Sequence, residues 1–206
     1  MWVLLFTAVA PSHAAEVKGR VVDEHGSGIP QAVVFVKDPP TGAAQASPRT
    51  AVLDQINKQF SPSVLPIAIG TEVRFPNHDQ LHHHVYSFSR PKSFNLPLYK
   101  GEEVPSVVFD QIGVVDVGCN IHDWMSAVIL VLPSTLFAIT DETGQFTLTD
   151  LPSGTYALVA WHQRSTRKLD DTTQQVHVTA NTPHLSFTLS LKPAQDRPAT
   201  HGQRGY

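Results

Sequence analysis

The feature that most restricts the fold is a rhythm of short apolar segments, repeatedly cut by glycine, proline and asparagine. Between positions 51 and 132 it passes through Val52-Leu53-Asp54-Gln55-Ile56, Val64-Leu65-Pro66-Ile67-Ala68-Ile69, Glu72-Val73-Arg74-Phe75-Pro76-Asn77, His84-Val85-Tyr86-Ser87-Phe88, Ser106-Val107-Val108-Phe109, Val114-Val115-Asp116-Val117 and Ala127-Val128-Ile129-Leu130-Val131-Leu132. Segments of this length and alternation read as strands, and none carries a helical period of useful length. The 16 prolines and 12 glycines in 206 residues supply the breaks between them. A sheet that buries one face packs on another, so the reading is all-β, with a β-sandwich over this central region.

The flanks repeat the pattern. Val17-Lys18-Gly19-Arg20-Val21-Val22-Asp23 alternates like a strand, residues 24 to 30 are dense in turn formers, and Ala32-Val33-Val34-Phe35-Val36 follows as a second strand. Two strands do not make a stable sheet, so this hairpin needs partners elsewhere in the chain. The stretch from Asp38 to Pro48, rich in Pro, Gly, Ala and Ser, reads as a linker and a domain boundary. Beyond Pro133, strands are expected around residues 137–148, at Thr155-Tyr156-Ala157-Leu158-Val159-Ala160-Trp161-His162, at Gln175-Val176-His177-Val178 and at residues 185–191. The chain is long enough for two domains, and residues 193–206, without apolar periodicity, are expected to be a disordered tail.

A hydrophobic content of 41% is that of an ordinary globular protein, and a net charge of -3 gives no case for nucleic acid or an anionic membrane as partner. Met1 to Ala10 form a largely apolar run leading to Ser12-His13-Ala14-Ala15, which ends in the small residues a signal peptidase accepts. We read residues 1–15 as a signal peptide, although no lysine or arginine precedes the run, and expect a periplasmic or otherwise exported protein without a membrane span after cleavage. A buried strand or an anchor is the alternative, and the run falls short of the ~20 residues a bilayer span needs. The single cysteine then has no internal disulfide partner and is either a free thiol or a ligand.

That cysteine opens the stretch Cys119-Asn120-Ile121-His122-Asp123-Trp124-Met125. A thiolate, an imidazole and a thioether spaced three residues apart are soft and borderline ligands, which suit copper better than magnesium or calcium. A blue-copper centre takes two imidazoles and one thiolate, with the methionine sulfur as a long axial contact. The run His82-His83-His84, in another expected strand, offers the second imidazole. Each residue alone has an ordinary explanation: a buried small hydrophobe, a surface histidine, a core methionine, a solvated histidine run. Together, on one turn between two apolar strands, they make a candidate site for one copper ion.

Residues 51–132 resemble the cupredoxins. The resemblance rests on Asn57-Lys58-Gln59-Phe60-Ser61-Pro62, Gly70-Thr71-Glu72-Val73-Arg74-Phe75 leading to Asn77, Gly101-Glu102 ahead of Val107-Val108-Phe109, Gly113, and the Cys-x-x-His-x-x-Met loop. The short loop is similar to that of amicyanin rather than plastocyanin. The His-His-Val-Tyr-Ser and Cys-Asn-Ile-His-Asp-Trp-Met stretches are similar to cupredoxin-like proteins labelled as methylamine-utilisation proteins. The resemblance implies a Greek-key β-sandwich holding one type 1 (blue) copper through His83, Cys119, His122 and Met125, and a carrier of single electrons between transient redox partners. Laying the family's His-Asn-Val on His83-His84-Val85 makes His83 the ligand; His84, standing where the family has asparagine, is the second choice, and His82 and His78 are expected on the surface. With one cysteine a binuclear site is excluded, and Gly118 and Asn120 flank it in place of the relay histidines of multicopper oxidases. No paired carboxylates or nucleophile–base pair stand out, so the expectation is a carrier and not an enzyme. Ile121, where many such loops have proline, leaves a second amide donor to the sulfur open and with it a raised potential. Ile121 and Trp124 around His122 are expected to form an apolar docking patch on a monomeric protein.

Gly19-Arg20-Val21-Val22-Asp23 with Ala32-Val33-Val34-Phe35-Val36, and residues 140–146 with 151–156, resemble pieces of a carboxypeptidase-regulatory-like domain, a small prealbumin-like β-sandwich. In that family the pieces are close in sequence. The resemblance implies one domain split into residues 16–40 and 134–192, with the cupredoxin domain at 45–133 inserted between them. An N-terminal arm added to the cupredoxin is the rival arrangement. The competing functional class is a non-redox copper-binding or carbohydrate-binding-like extracytoplasmic module, for which Trp161 and His162 could form a sugar face or simply pack.

Overall fold

The structure is a computed structural model describing residues 15–40, 49–101 and 104–193. The expected leader up to Ala14, most of the expected linker and nearly all of the expected tail lie outside the described residues. Ala15, counted with the leader, is buried as the first residue of strand β1.

The described chain is all-β apart from one 3-10 turn at Asp170–Thr172. The strands are β1 (Ala15–Val22), β2 (Val33–Val36), β3 (Thr50–Val52), β4 (Asp54–Ile56), β5 (Gln59–Ser61), β6 (Val64–Ala68), β7 (Thr71–Arg74), β8 (His83–Ser89) and β9 (Lys92–Tyr99). They continue with β10 (Ser106–Phe109), β11 (Gly113–Cys119), β12 (Ser126–Leu132), β13 (Phe137–Ile139), β14 (Gln145–Leu151), β15 (Gly154–Trp161), β16 (Thr173–Val178) and β17 (Leu185–Thr188).

The central unit packs a five-stranded sheet, ordered β6-β12-β11-β8-β9, over a three-stranded sheet β10-β7-β3 and the β4-β5 hairpin. Its core joins Leu53, Phe75, Val85, Phe109, Val117 and Ile129 with Cys119 and Met125. The side-chain period of two decides who faces it. On β8, His83, Val85 and Ser87 are buried, while His84, Tyr86 and Phe88 lie on the other face; on β11, Val115, Val117 and Cys119 are buried. Thus His83 and Cys119 share the inner face.

The second unit has a three-stranded sheet β14-β1-β17 and a four-stranded sheet β13-β2-β15-β16. Here β1 pairs with β14 antiparallel and β17 parallel, Val21 standing opposite Phe187, and β2 pairs with β15, Val34 opposite Ala160. The two strands at the front of the chain therefore complete sheets whose other members come from its end, and both sheets close over one core that includes Val21, Val34, Leu158 and Phe187.

Strand β12 explains why residues 127–132 read as an unbroken apolar run. Ala127, Ile129 and Val131 enter the central core, while Leu130 and Leu132 join Val33, Phe35, Val64 and Val159 in a third cluster between the units. A strand covered on both faces has no polar side to show.

Three local differences from the sequence reading have physical causes. The expected strand 52–56 is two strands, β3 and β4, separated by buried Leu53. The short β5 completes a hairpin with β4 through Asn57 and Lys58, both at positive φ (55° and 58°), as a two-residue hairpin turn demands. Strand β9 was not anticipated: Pro97 argues against a strand, but β9 is the sheet edge, where a missing amide is tolerated.

Candidate metal centre

The site forms where the end of β11 meets the start of β8. Cys119 pairs with Val85, so His83, two positions earlier on β8 and on the same face, reaches the sulfur. The chain then turns back into β12: the Cys119 amide donates to the Met125 carbonyl at 3.2 Å, and the Met125 amide to the His122 carbonyl at 2.9 Å. This closed turn brings His122 over the cysteine and tucks Met125, fully buried, into the core beside it.

Cys119 Sγ stands 3.9 Å from His83 Nδ1 and 3.8 Å from His122 Nδ1. All three donor atoms fall within 4.8 Å of one another, and the two imidazole rings are 5.0 Å apart. Bonds of about 2.3 Å to sulfur and about 2.05 Å to nitrogen, meeting at about 120°, set those donors about 3.8 Å apart; at about 109° the figure is about 3.6 Å. The observed separations lie close to both figures, so the donor set fits an ion held by one thiolate and two imidazoles.

His84, the second choice for the upstream ligand, lies on the opposite face of β8. Its Nε2 is hydrogen-bonded with the Asn95 side chain, and its ring stacks on Tyr86 at 5.6 Å. His82 and His78 are exposed, and His78 Nδ1 sits 2.8 Å from both Asp54 carboxylate oxygens.

Asp79 was not anticipated. Its Oδ2 lies 2.7 Å from His83 Nε2, and it accepts the Lys58 amide at 2.8 Å while Oδ1 accepts the Asn57 amide at 2.7 Å. Burial pushes the Asp79 carboxyl up, but the bonds from the Lys58 amide, His83 and the Asn57 amide outweigh it and hold the group below the usual aspartate value. No local pattern marks this contact, because Asp79 lies in the loop before β8, where no regular period fixes which side chains share a face. The one available signal was the Asn57-Lys58 turn opposite an acidic residue.

Burial, then repulsion from His83 and Lys58, keep the His122 pKa below the ordinary histidine value against the pull of Asp79, which favours the neutral, ligating ring. Beside it Ile121 and Trp124 are 48% and 44% exposed, with the Trp124 ring 5.3 Å from that of His122. The amide donor from Ile121 to the sulfur, left open by the sequence, is not formed: among the described residues the contacts of Cys119 Sγ are the His83 and His122 rings, and no amide donates to it. Trp161, half-buried, packs against the cluster between the units, and buried His162 accepts the Arg164 amide through Nδ1 at 3.1 Å. No helix among the described residues is long and apolar enough to cross a membrane.

No family model matches the chain, and no curated protein does. Solved structures do. A Cu-containing nitrite reductase from Thermus scotoductus is similar at 27% identity and a TM-score of 0.39, over 44% of this chain and 24% of that one. A purple cupredoxin from Nitrosopumilus maritimus is similar at 26% identity and a TM-score of 0.36, over 39% of this chain and 98% of that one. A reduced variant of amicyanin gives 22% identity and a TM-score of 0.38, over 49% of this chain and 98% of that one. The chain thus spans about a quarter of the reductase it matches, and the likeness covers less than half of this chain.

Proposed function

We propose that this protein is a type 1 copper protein that carries single electrons between redox partners outside the cytoplasm. The observation that carries the reading is the triangle of His83 Nδ1, Cys119 Sγ and His122 Nδ1, with S···N separations of 3.9 and 3.8 Å. Copper, when bound, supplies a reversible one-electron couple. His83, Cys119 and His122 would hold the copper, and Met125, fully buried at the end of the same turn, would supply a thioether as the further donor. The chain's own part is to exclude water with the core around Cys119 and Met125, and to keep the partly exposed His122 at the surface. Ile121 and Trp124 give that surface the apolar character suited to a brief contact of small area with a partner protein. A single one-electron centre favours a carrier over an enzyme, and the chain is taken as a monomer.

The outer unit is proposed to be one prealbumin-like domain, residues 16–40 and 134–192, into which residues 45–133 are inserted; the pairing of β1 with β14 and β17 supports it. Export is proposed from the apolar leader and is tested by sequencing the mature N-terminus.

The central test is addition of Cu(II) to the purified metal-free protein. The expected result is an intense visible thiolate-to-copper absorption that Cys119→Ser and His83→Ala abolish and His84→Ala leaves in place. Copper uptake without that band makes the site a non-redox one, and loss of the band in His84→Ala alone moves the ligand to His84.

A further inference from the structure

The residue that decides how His83 meets the metal carries no ligand atom itself. We propose that Asp79 is a positioning residue that locks His83 in the tautomer with Nδ1 bare and aimed at Cys119, and that the Asn57–Lys58 turn is the clamp holding Asp79 in place. The proposal rests on the copper reading for its consequences, though not for its geometry.

Three donors converge on this one carboxylate: the Asn57 amide on Oδ1 at 2.7 Å, and the Lys58 amide and His83 Nε2 on Oδ2 at 2.8 and 2.7 Å. A carboxylate only accepts, so the Nε2 of a neutral imidazole facing it carries the hydrogen and Nδ1 keeps its lone pair. His83 is fully buried, and water cannot set its tautomer instead. The short contacts are those of charge-assisted hydrogen bonds.

The clamp is itself unusual. Asn57 and Lys58 are consecutive non-glycine residues in the left-handed region, a conformation costing about 1–2 kcal/mol per residue. Asparagine tolerates it; lysine has no such excuse, and its amide is turned onto Asp79. From the other side Asn77 steadies the same loop, accepting the Asp79 amide through Oδ1 at 3.0 Å and donating through Nδ2 to the carbonyls of Leu81 and Tyr99 at 3.0 and 3.1 Å. The β4-β5 hairpin, the 77–82 loop and the end of β9 thus converge on the orientation of one imidazole. A carbonyl oxygen could fix the tautomer equally well. A carboxylate also adds negative charge behind the ligand, which makes the imidazole a stronger donor and favours the more highly charged metal state.

The test uses the full chain, first free of metal. Nitrogen NMR of the His83 ring should show the single Nε2–H tautomer in the parent and a mixture in Asp79→Ala, whereas Asp54→Asn, which alters the contact to exposed His78, should leave the His83 signal alone. Cu(II) affinity of Asp79→Ala should fall about 10- to 100-fold. Asp79→Asn, nearly isosteric, covers the case in which the alanine variant does not fold: it should retain the copper colour with a raised midpoint potential. An unchanged tautomer in a folded Asp79→Ala, or an unchanged potential in Asp79→Asn, overturns the proposal. The tautomer measurement needs no copper, so a parent that shows Nε2–H lost in Asp79→Ala but gives no copper colour upholds the positioning role while the copper reading fails.

Discussion

Gly28 and Thr143 approach so closely that a Cβ on residue 28 would stand 1.9 Å from the Thr143 carbonyl oxygen. The contact joins the turn after β1 to the turn before β14, which lie on either side of the central unit in the sequence. Backbone cannot give way as a flexible side chain can. Gly28→Ala is therefore expected to lower stability by more than about 2 kcal/mol in chemical denaturation. Gly26, at φ 80° with nothing within 4 Å of its Cβ position, is the control. Gly26→Ala should cost only about 1 kcal/mol, the penalty of the left-handed backbone.

Met125 separates packing from ligation. Its side chain is fully buried beside Cys119, so Met125→Leu, nearly equal in volume, should cost less than about 1.5 kcal/mol, whereas Met125→Ala leaves a cavity and costs about 2–5 kcal/mol. With the thioether gone and the three strong donors intact, the leucine variant should stay coloured with a shifted potential. Identical potentials in parent and Met125→Leu would remove the axial assignment.

Leu130 lies on the face of β12 turned away from Cys119, in the cluster that binds the two units together. Leu130→Ala should destabilise by about 2–5 kcal/mol without altering the copper spectrum. A spectrum changed by this substitution would mean that the inter-unit face reaches the metal loop.

Acid sensitivity is expected from His162. Burial, then the charge of Arg164, lower its pKa from 6.5 to about 4, and its Nδ1 is already occupied by the Arg164 amide. Between those values the unfolded chain binds a proton that the folded chain refuses, so stability falls as pH drops from 6.5 toward 4 and is unaffected by this group above. His162→Asn, which keeps an acceptor and removes the titration, should flatten the denaturation midpoint over that window. Asp79, Asp110, Asp141 and Asp170, all held below the ordinary carboxylate value of 3.8, lose their contribution only at lower pH. A variant with the parent's slope between pH 4 and 6.5 would assign the acid sensitivity elsewhere.

Strand character was readable wherever alternation or an apolar run was strong, as along β11 and β12. It failed at β9, because proline is penalised by a rule that edge strands escape. The open question of the Ile121 amide was beyond sequence as well. Missing proline permits a donor, but where the amide points depends on how the loop closes between Cys119 and Met125.

Sequence alone determined the donor chemistry: a thiol, an imidazole and a thioether confined to one seven-residue turn, and two adjacent histidines that a strand's period of two must send to opposite faces. Which of the two meets the cysteine was decided by the tertiary structure, through the register that sets Cys119 against Val85 and so leaves His83 inside and His84 beside Asn95. The same holds for Asp79, whose partners Asn57, Lys58 and His83 come from separate segments. Periodicity is a local property of the chain, whereas register and loop closure are set by the burial of residues distant in sequence, which no single segment encodes.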